Sequence, residues 1–507
     1  MDKVDIIMLN YNALEMTKMC ISSLFKNTDY PFNLILIDNA SSEPGTREFL
    51  NSLAKEHKNM IVHFNEVPDS GFASGNNTGL RYSTNELVLL ANNDLLFFRK
   101  DWLRKLVEVM EKDEKVGLVA PKLIYPNDTI QHAGTYIVPS FILNKPENTI
   151  AWEHIGRFQN SKKYSFSREI GGVTFACVLS RKSVLGKLDE SYKIGTYEDN
   201  QKCVEVLEKG YKIVYCGESE VYHYESYTQL RRPREQFEPQ RIENYKLFNS
   251  RKGEILRRMW EKDPKLFGYY DPDIKISALV LARDCERTIP YCLESLNFFD
   301  EIIVGYTKSS DKTYEKIKET NARIVEMDEI EDFSKARDDL GKEASNEFIF
   351  YLDSDEIIHP SVYFELHRHF SYSKSNVTFP RVNVSVTKLA YTNKYPDLQT
   401  RAVYKTTMKW IGKIHERLQE IGEIVPYGIV HFGNCLETWN LKKWKYISDK
   451  NKKLGFYGEM EDKNLSNEEN FRRIVEAYSS YPQAPIDIFG NEIILPKKEK
   501  ILEISGR

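Results

Sequence analysis

The two carboxylates best placed to do chemistry in this sequence close two copies of one pattern. Asn85-Glu86-Leu87-Val88-Leu89-Leu90-Ala91-Asn92-Asn93-Asp94 and Asn346-Glu347-Phe348-Ile349-Phe350-Tyr351-Leu352-Asp353-Ser354-Asp355 align without a gap. Each opens on Asn-Glu, runs apolar for the length of a strand and stops abruptly in Asp. A continuous apolar run of that length reads as a strand buried on both faces, as in a parallel sheet. Ligands of open α/β sheets bind beyond the carboxyl ends of such strands. A carboxylate there adds nothing to a core, because burying an unpaired charge is costly. It can hold a hard cation, since Mg²⁺ is commonly bound by one or two carboxylates together with substrate phosphates. The plainer alternative is that Asp94 and Asp355 merely begin polar loops, and repetition with matching flanks counts against it.

The surrounding segments supply a frame for those strand ends. Val4 to Leu9 is an apolar strand closed by Asn10-Tyr11-Asn12, after which Leu14, Ile21, Leu24 and Phe25 recur at helical spacing. A second strand, Asn33 to Ile37, ends in Asp38-Asn39-Ala40-Ser41-Ser42. Strand, helix and strand with tight joins make a βαβ unit and predict a parallel sheet. Both strands end in polar residues on one edge, where side chains could hold a nucleotide base and ribose. No GxGxxG follows the first strand, which disfavours a dinucleotide fold. Gly71-Phe72-Ala73-Ser74-Gly75-Asn76-Asn77 reads as a turn into a helix with the backbone close to something. The pattern restarts at Ile276 to Ala282, with Ile289, Leu293 and Leu296 on one helical face. Glu301-Ile302-Ile303-Val304 is its next strand, and Ser309-Ser310-Asp311-Lys312-Thr313 caps a following helix.

A chain of 507 residues is too long for one ordinary core, so two or more domains are expected. A net charge of −4 gives no sign of a nucleic-acid-binding surface. No apolar stretch is long enough to span a bilayer, and Met1-Asp2-Lys3-Val4-Asp5 reads as no signal peptide. The seven cysteines are scattered without zinc-ligand or redox spacing, as expected of reduced thiols in a cytosol. Pro264, Gly268 and Pro272 mark a boundary. The expected domains are 1–228, a helical linker at 229–273, a second domain at 274–435 and a helical C-terminal extension at 436–507. Within the linker, Arg231-Arg232-Pro233-Arg234 is read as a solvated face, with acidic lipid head groups or a lipid-diphosphate acceptor as the alternative.

Taken together, Asn10-Tyr11-Asn12, Asp38-Asn39-Ala40-Ser41, the Gly71–Asn77 stretch and Asn92-Asn93-Asp94 resemble a family 2 glycosyltransferase of the GT-A fold, in its rhamnosyltransferase-like branch. Ile130-Gln131-His132-Ala133-Gly134, Tyr197-Glu198-Asp199 and Val221-Tyr222-His223-Tyr224 fit the same branch, so the resemblance covers about residues 4 to 260. The second half is similar to the lipopolysaccharide-core-type branch over about residues 275 to 435. It carries Phe333-Ser334-Lys335-Ala336-Arg337-Asp338, the stretch ending in Asp353-Ser354-Asp355-Glu356, then Asp397 and Gly412-Lys413-Ile414-His415-Glu416.

This resemblance implies two tandem α/β GT-A domains and a metal-dependent, inverting transfer of sugar from UDP- or dTDP-sugar donors. The implied acceptor is a glycan, lipid-linked glycan or glycoprotein, in bacterial surface polysaccharide or protein glycosylation. The implied cofactor is a divalent metal, Mn²⁺ or Mg²⁺, held by Asp94 and His223 in the first half and by Asp353, Asp355 and His415 in the second. Asp199 and Asp397 are the implied bases. The implied nucleotide-sugar-binding residues are Asn10, Asn12, Asp38, Asn39, Gly75, Asn76, Asn77, Asn93, Arg283, Tyr306, Arg337 and Ser354. Tyr306 stands where the family has an Asp that meets the nucleotide base, and Phe175 where it commonly has glycine. The expected location is the cytoplasm, with peripheral contact at the inner face of the membrane. One active domain beside a degenerate acceptor-binding or scaffolding domain is the alternative. A sugar nucleotidyltransferase is disfavoured, because neither Asn10-Tyr11-Asn12 nor Arg283-Asp284-Cys285 is a glycine-rich phosphate loop.

Overall fold

The computed structural model describes residues 3–66, 71–139, 150–193, 195–225, 234–385, 397–412, 416–425 and 427–434. The chain divides into two compact units, Met1–Pro272 and Asp273–Arg507.

The first unit runs β1 (Val4–Asn10), α1 (Leu14–Lys26), β2 (Phe32–Asp38), α2 (Thr46–Glu56), β3 (Met60–Phe64), α3 (Phe72–Tyr82), β4 (Leu87–Asn92), β5 (Leu95–Leu96) and α4 (Trp102–Lys112). It continues through β6 (Val116–Ile124), β7 (Ile130–His132), β8 (Thr135–Pro139), β9 (Ile150–His154), β10 (Ser167–Glu169), β11 (Cys177–Arg181), α5 (Lys182–Leu185), α6 (Glu198–Glu208) and β12 (Lys212–His223). Three helices follow: α7 (Arg234–Phe248), α8 (Glu254–Lys262) and α9 (Pro264–Phe267). The sheet order is β10-β12-β6-β11-β4-β1-β2-β3, with β5 on β12 and β7 on β6. Strands β1, β2 and β4 are parallel, β11 is antiparallel to both β4 and β6, and β12 is parallel to β6. The carboxyl ends of β1, β2, β4, β6 and β12 therefore share one edge.

The apolar runs do what their composition dictates. Every residue of β4 from Leu87 to Ala91 is buried. On one sheet face α1 and α4 cover the core. Trp102, Leu103, Leu106, Val107 and Met110 of α4 are buried at helical spacing, so the exposed face is left to charged residues. On the other face α3 lies hard against β1, because a Cβ at Gly79 would come within 2.3 Å of Ile7 and one at Gly75 within 2.4 Å of Leu9. The segment expected as a linker is built into this unit: the Phe267 ring fills the space a side chain at Gly171 would need, and it meets Trp152 edge-on at 6.2 Å.

The second unit runs β13 (Ile276–Ala282), α10 (Ile289–Ser295), β14 (Glu301–Tyr306), α11 (Thr313–Lys318), β15 (Arg323–Glu326), α12 (Phe333–Lys342), β16 (Phe348–Asp353), β17 (Glu356–Ile358) and α13 (Ser361–Phe370). It continues through β18 (Val377–Ser385), β19 (Asp397–Tyr404), β20 (Trp410–Ile411), β21 (Arg417–Leu418), β22 (Glu423–Ile424) and β23 (Ile429–Asn434). Its main sheet is ordered β15-β14-β13-β16-β19-β18-β23-β17, with β22 on β18. Strands β13, β14 and β16 repeat the parallel arrangement of β1, β2 and β4, and β19 runs antiparallel to β16 as β11 does to β4.

The repeated Asn has a task in both copies. Asn85 Nδ2 donates to Asp5 Oδ1 at 2.6 Å and Asn346 Nδ2 to Ser277 Oγ at 3.0 Å, each fastening the start of the central strand to its parallel neighbour. The expected helical C-terminal extension and the basic run at 231–233 lie outside the described residues. No helix among the described residues is long and apolar enough to cross a membrane.

Candidate active sites

At the carboxyl edge of the first sheet, Asn10 and Asp38 are register partners. Asn10 Nδ2 donates to Asp38 Oδ1 at 2.7 Å and Ser41 Oγ at 3.1 Å, and its Oδ1 accepts from Thr17 Oγ1 at 2.6 Å and Asn93 Nδ2 at 3.1 Å. That is the full capacity of an amide. Asn93 spends its second amide proton on Thr17 Oγ1 at 3.0 Å. Asn77 ties α3 to the loop before α6, donating to Leu188 O and Glu190 Oε1 and accepting from Leu188 N. These three, read from the sequence as ligand contacts, are hydrogen-bonded within the frame of the site. Gly75 lets α3 approach Leu9 and Asn39, whose Oδ1 would lie 3.0 Å from a Cβ there. Asn39 itself accepts from Asn65 Nδ2 at 2.7 Å. Asn76 Oδ1 is buried with no hydrogen-bond partner, and so retains an acceptor.

Asn12, at φ 54°, closes the nucleotide-side loop by accepting from Ser42 N at 2.8 Å and Glu43 N at 3.0 Å. The second unit repeats several bonds of that loop. Asp284 N donates to Ser309 Oγ at 3.0 Å as Asn12 N does to Ser41 Oγ at 2.7 Å. Glu286 N donates to Asp311 Oδ2 as Leu14 N does to Glu43 Oε2. Ser309 N donates to the Tyr306 hydroxyl at 3.1 Å as Ser41 N does to Asp38 Oδ2 at 3.0 Å. Tyr306 thus takes over the loop-holding work of Asp38, and its ring lies 5.0 Å from that of Tyr314. Arg283 is turned aside, its Nη1 donating to Glu329 at 3.1 Å.

Asp94, at the end of β4, is buried, and its Oδ1 lies 3.3 Å from His223 Nε2 at the end of β12. Gln131 fixes the orientation of that imidazole. Its Nε2 donates to Glu225 Oε1 at 3.3 Å, which as a carboxylate can only accept, so Gln131 Oε1 must face His223 Nδ1 at 3.1 Å. With Nδ1 used in that bond, Nε2 is turned towards the Asp94 carboxylate. A carboxylate oxygen and an imidazole nitrogen so placed are the kinds of ligand a divalent cation takes. Their 3.3 Å separation is that of two ligands of one small cation with bonds of about 2.1 Å.

The same pair recurs in the second unit with a residue that the sequence reading missed. Asp355 Oδ2 lies 3.4 Å from His431 Nε2. His431 pairs with Glu356 across β17 and β23, as His223 pairs with Leu95 across β5 and β12. Phe432 N donates to Asp355 O at 2.9 Å as Tyr224 N does to Asp94 O at 3.0 Å. Burial alone would lower the His431 pKa, but the Asp355 carboxylate beside it outweighs that and raises it. His415, the histidine nominated from sequence, lies outside the described residues. Tyr222-His223-Tyr224 and Val430-His431-Phe432 share a histidine followed by an aromatic residue, the first at the end of β12 and the second inside β23. Among the described residues no cluster of three or more His, Cys, Asp or Glu has metal-binding geometry.

Asp353, expected to hold metal, is paired with two arginines. Arg401 Nη2 contacts its Oδ2 at 2.7 Å and Arg337 Nη2 its Oδ1 at 2.5 Å. Burial would raise the Asp353 pKa, and the two guanidiniums hold it well below the usual carboxylate range. Arg401 also contacts the buried Glu356 at 2.9 Å, which Arg381 meets at 3.1 Å, and Arg337 reaches Glu416 at 2.8 Å. Arg337 Nη1 and Arg401 Nε are buried without hydrogen-bond partners, leaving N–H groups for a ligand's oxygens. Ser354 hydrogen-bonds Cys285. Arg401→Met is expected to destabilise the second unit by about 3–5 kcal/mol, because it leaves Glu356 and Asp353 short of a buried partner. Hydrogen exchange of the β13 and β16 amides reads that loss, and wild-type protection would refute it.

Asp199 lies in the first turn of α6, behind Tyr197 at φ 71°. Its carboxylate accepts from Asn200 N at 2.8 Å and from the Phe175 backbone and Thr174 side chain. Burial pushes its pKa up in spite of those donors. Glu198 is more deeply buried, its Oε2 has no partner, and burial followed by the Asp199 charge pushes its pKa well up. The donors favour charge on Asp199 and leave the proton on Glu198. Asn244 of α7, also missed from sequence, fixes this loop: its Nδ2 donates to Lys193 O at 2.6 Å and to Thr196 Oγ1 at 2.8 Å. Asp397 opens β19 opposite Arg381, and its side chain lies outside the described residues.

A raised carboxyl pKa means that the native state keeps a proton which the unfolded chain releases above about pH 4.3. Stability therefore falls as pH rises from there through the native pKa of Glu198. Glu198→Gln is expected to raise the unfolding midpoint more at pH 8 than at pH 5, read by thermal unfolding. An equal shift at both would mean that Glu198 is ionised in the native state.

Comparison with known proteins gives a consistent result. The family described as Glycosyl transferase family 2 matches residues 5–188 and again residues 277–456. An uncharacterised protein, y4gI, of Sinorhizobium fredii is 29% identical over 227 residues, covering 44% of this chain and 24% of that protein. The O-antigen biosynthesis protein RfbC of Myxococcus xanthus is 27% identical over 229 residues, covering 44% of this chain and 17% of RfbC. The chain thus spans under a quarter of the length of these curated relatives. Among solved structures, GalNAc-T7 with UDP, GalNAc and Mn²⁺ aligns at 15% identity and a TM-score of 0.37 over 44% of this chain and 43% of that one.

Proposed function

The chain belongs to glycosyl transferase family 2, carrying its GT-A fold twice in tandem, and from that premise we propose that each unit transfers a sugar from a nucleoside-diphosphate donor to a hydroxyl of a glycan or glycoprotein acceptor, with inversion at the anomeric carbon. The observation that carries this reading is the carboxylate–imidazole pair at the same strand end of both units, Asp94–His223 and Asp355–His431.

In the first unit the Asn12–Glu43 and Asp38–Ser41 loop holds the nucleoside end of the donor, and Asp94 with His223 holds a divalent cation, Mn²⁺ or Mg²⁺. When bound, that cation neutralises the negative charge that grows on the departing diphosphate. Asn76 Oδ1 keeps its acceptor for a donor hydroxyl. Asp199 takes the proton of the acceptor hydroxyl on the side of the sugar opposite the leaving group, as a single displacement requires. Glu198 stays protonated and leaves the pair's charge on Asp199. In the second unit His431 takes the role first given to His415. Arg337 and Arg401 offer N–H groups to donor oxygens, and Asp397 is the proposed base.

One observation favours a second reading, with one live unit and one acceptor-binding unit. Tyr306 replaces the base-side carboxylate and Asp353 is committed to two arginines, so donor recognition in the second unit has changed.

The test is nucleoside-diphosphate release by the full chain from a panel of UDP-, dTDP- and GDP-sugars with Mn²⁺ or Mg²⁺. At least one donor is expected to turn over and to stop when the metal is chelated. A folded chain that neither binds nor cleaves any of them is no transferase of this kind.

A further inference from the structure

We propose that Tyr125, Arg157, Phe158 and Glu225 form a platform for a neutral pyranose ring of the acceptor, an assignment that rests on the transferase reading of the first unit. Phe158 is 66% exposed, and its φ of 66° lies in the left-handed region that bulky residues avoid. The turn that holds it there is tightly bonded. Phe158 N donates to Ile130 O at 2.8 Å, Gln159 N to Gly156 O at 2.9 Å and Ile130 N to Gln159 O at 2.8 Å. An aromatic ring is thus fixed in solvent by backbone that a small residue would occupy more easily. Outliers of this kind cluster where a ligand is gripped.

The neighbours define the ligand's chemistry. The Phe158 ring lies nearly parallel to that of Tyr125, 9° between planes and 5.4 Å between centres. The Arg157 guanidinium lies 5.2 Å from the Phe158 centroid and spans both Glu225 oxygens, at 3.0 and 2.8 Å. The Tyr125 hydroxyl also donates to Glu225. An apolar face bordered by a paired guanidinium and carboxylate suits a sugar, whose ring C–H bonds pack on an aromatic face while its hydroxyls both donate and accept. Because Glu225 already neutralises Arg157, the platform does not favour a phosphate or a lipid head group.

Its place in the sheet fits the acceptor side. The nucleotide loops follow β1 and β2, on one side of Asp94 at the end of β4. Tyr125 and Glu225 follow β6 and β12, on the other side along the same edge. Glu225 is joined to the Asp94–His223 pair through Gln131.

The probe is a set of methyl hexopyranosides and methyl 6-deoxyhexopyranosides, with saturation-transfer NMR on the full chain. At least one glycoside is expected to receive saturation on its ring protons, and at least tenfold weaker binding is expected in Phe158→Asn, a residue that tolerates the left-handed backbone. Tyr125→Leu supplies a second variant with the turn untouched. The proposal is overturned if the wild type binds no glycoside, or if both folded variants bind as it does. Donor cleavage by the wild type, measured alongside, separates the two readings. Cleavage without glycoside binding removes only the platform, whereas glycoside binding without cleavage of any donor removes the transferase reading.

Discussion

Asp94→Ala is expected to abolish sugar transfer by the first unit while the second continues, and Asp355→Ala to do the reverse. The leaving diphosphate gains negative charge in the transition state, and a divalent cation there is worth several kcal/mol. At 1.36 kcal/mol per tenfold, about 4 kcal/mol is about 10³-fold in rate. Each alanine removes a protein ligand of that cation, and in the first unit it takes away the carboxylate that His223 Nε2 faces. Mass spectrometry of the acceptor products separates the two additions, and Mn²⁺ titration follows the ligands directly. His431→Ala is expected to weaken Mn²⁺ binding in the second unit alone. Full first-unit transfer by Asp94→Ala in chelator-treated buffer would remove the metal from the mechanism. Loss of both transfers in both variants would mean that the units do not work independently.

The central strands were readable because their signal is local. An apolar run ending in Asp needs no partner to be recognised, and β4 and β16 lie where the repeat places them. The loop after β2 was legible for the same reason, and the alignment of Tyr306 with Asp38 holds to the level of individual hydrogen bonds. His431 was missed because its partner is remote: β17 and β23 pair across more than seventy residues of chain. A histidine followed by an aromatic residue is a weak signal until that pairing is known. The hydrogen bonds that Asn10 and Asn77 make within the frame were hidden for a different reason. An Asn beside a ligand loop looks the same in sequence whether it holds the ligand or the loop, and only the folded chain shows its hydrogen bonds. The arginines on Asp353 came from α12 and β19, a convergence that no spacing encodes.

The linker taught the same lesson. Its charged, helical composition gave no sign that one residue, Asn244, would be 1% exposed and hold the loop ahead of Asp199. A base must be within hydrogen-bond reach of the proton it takes. Lys193 and Thr196, just ahead of α6, are bonded by Asn244 of α7.

Asp199→Asn is expected to keep donor binding and to lower first-unit transfer by about 10²–10⁴-fold, the usual worth of a general base. The amide nearly matches the carboxylate in size and its oxygen can still accept from Asn200 N, so α6 keeps its start. It cannot take a proton. Its NH₂ group would also face one of the remaining donors, the Phe175 N–H or the Thr174 hydroxyl, so a small loss of stability accompanies the loss of rate. The pH profile adds a second readout. The base works ionised and its pKa is raised, so wild-type turnover should rise with pH through a midpoint above the ordinary carboxylate value. That rise should vanish in Asp199→Asn. Glu198→Gln, which fixes the neighbour in its neutral form, should keep turnover and leave the midpoint in place, because a protonated Glu198 already puts no charge beside Asp199. If Asp199→Asn retained turnover and Glu198→Gln lost it, the base would be Glu198, and the proton would sit on Asp199 instead.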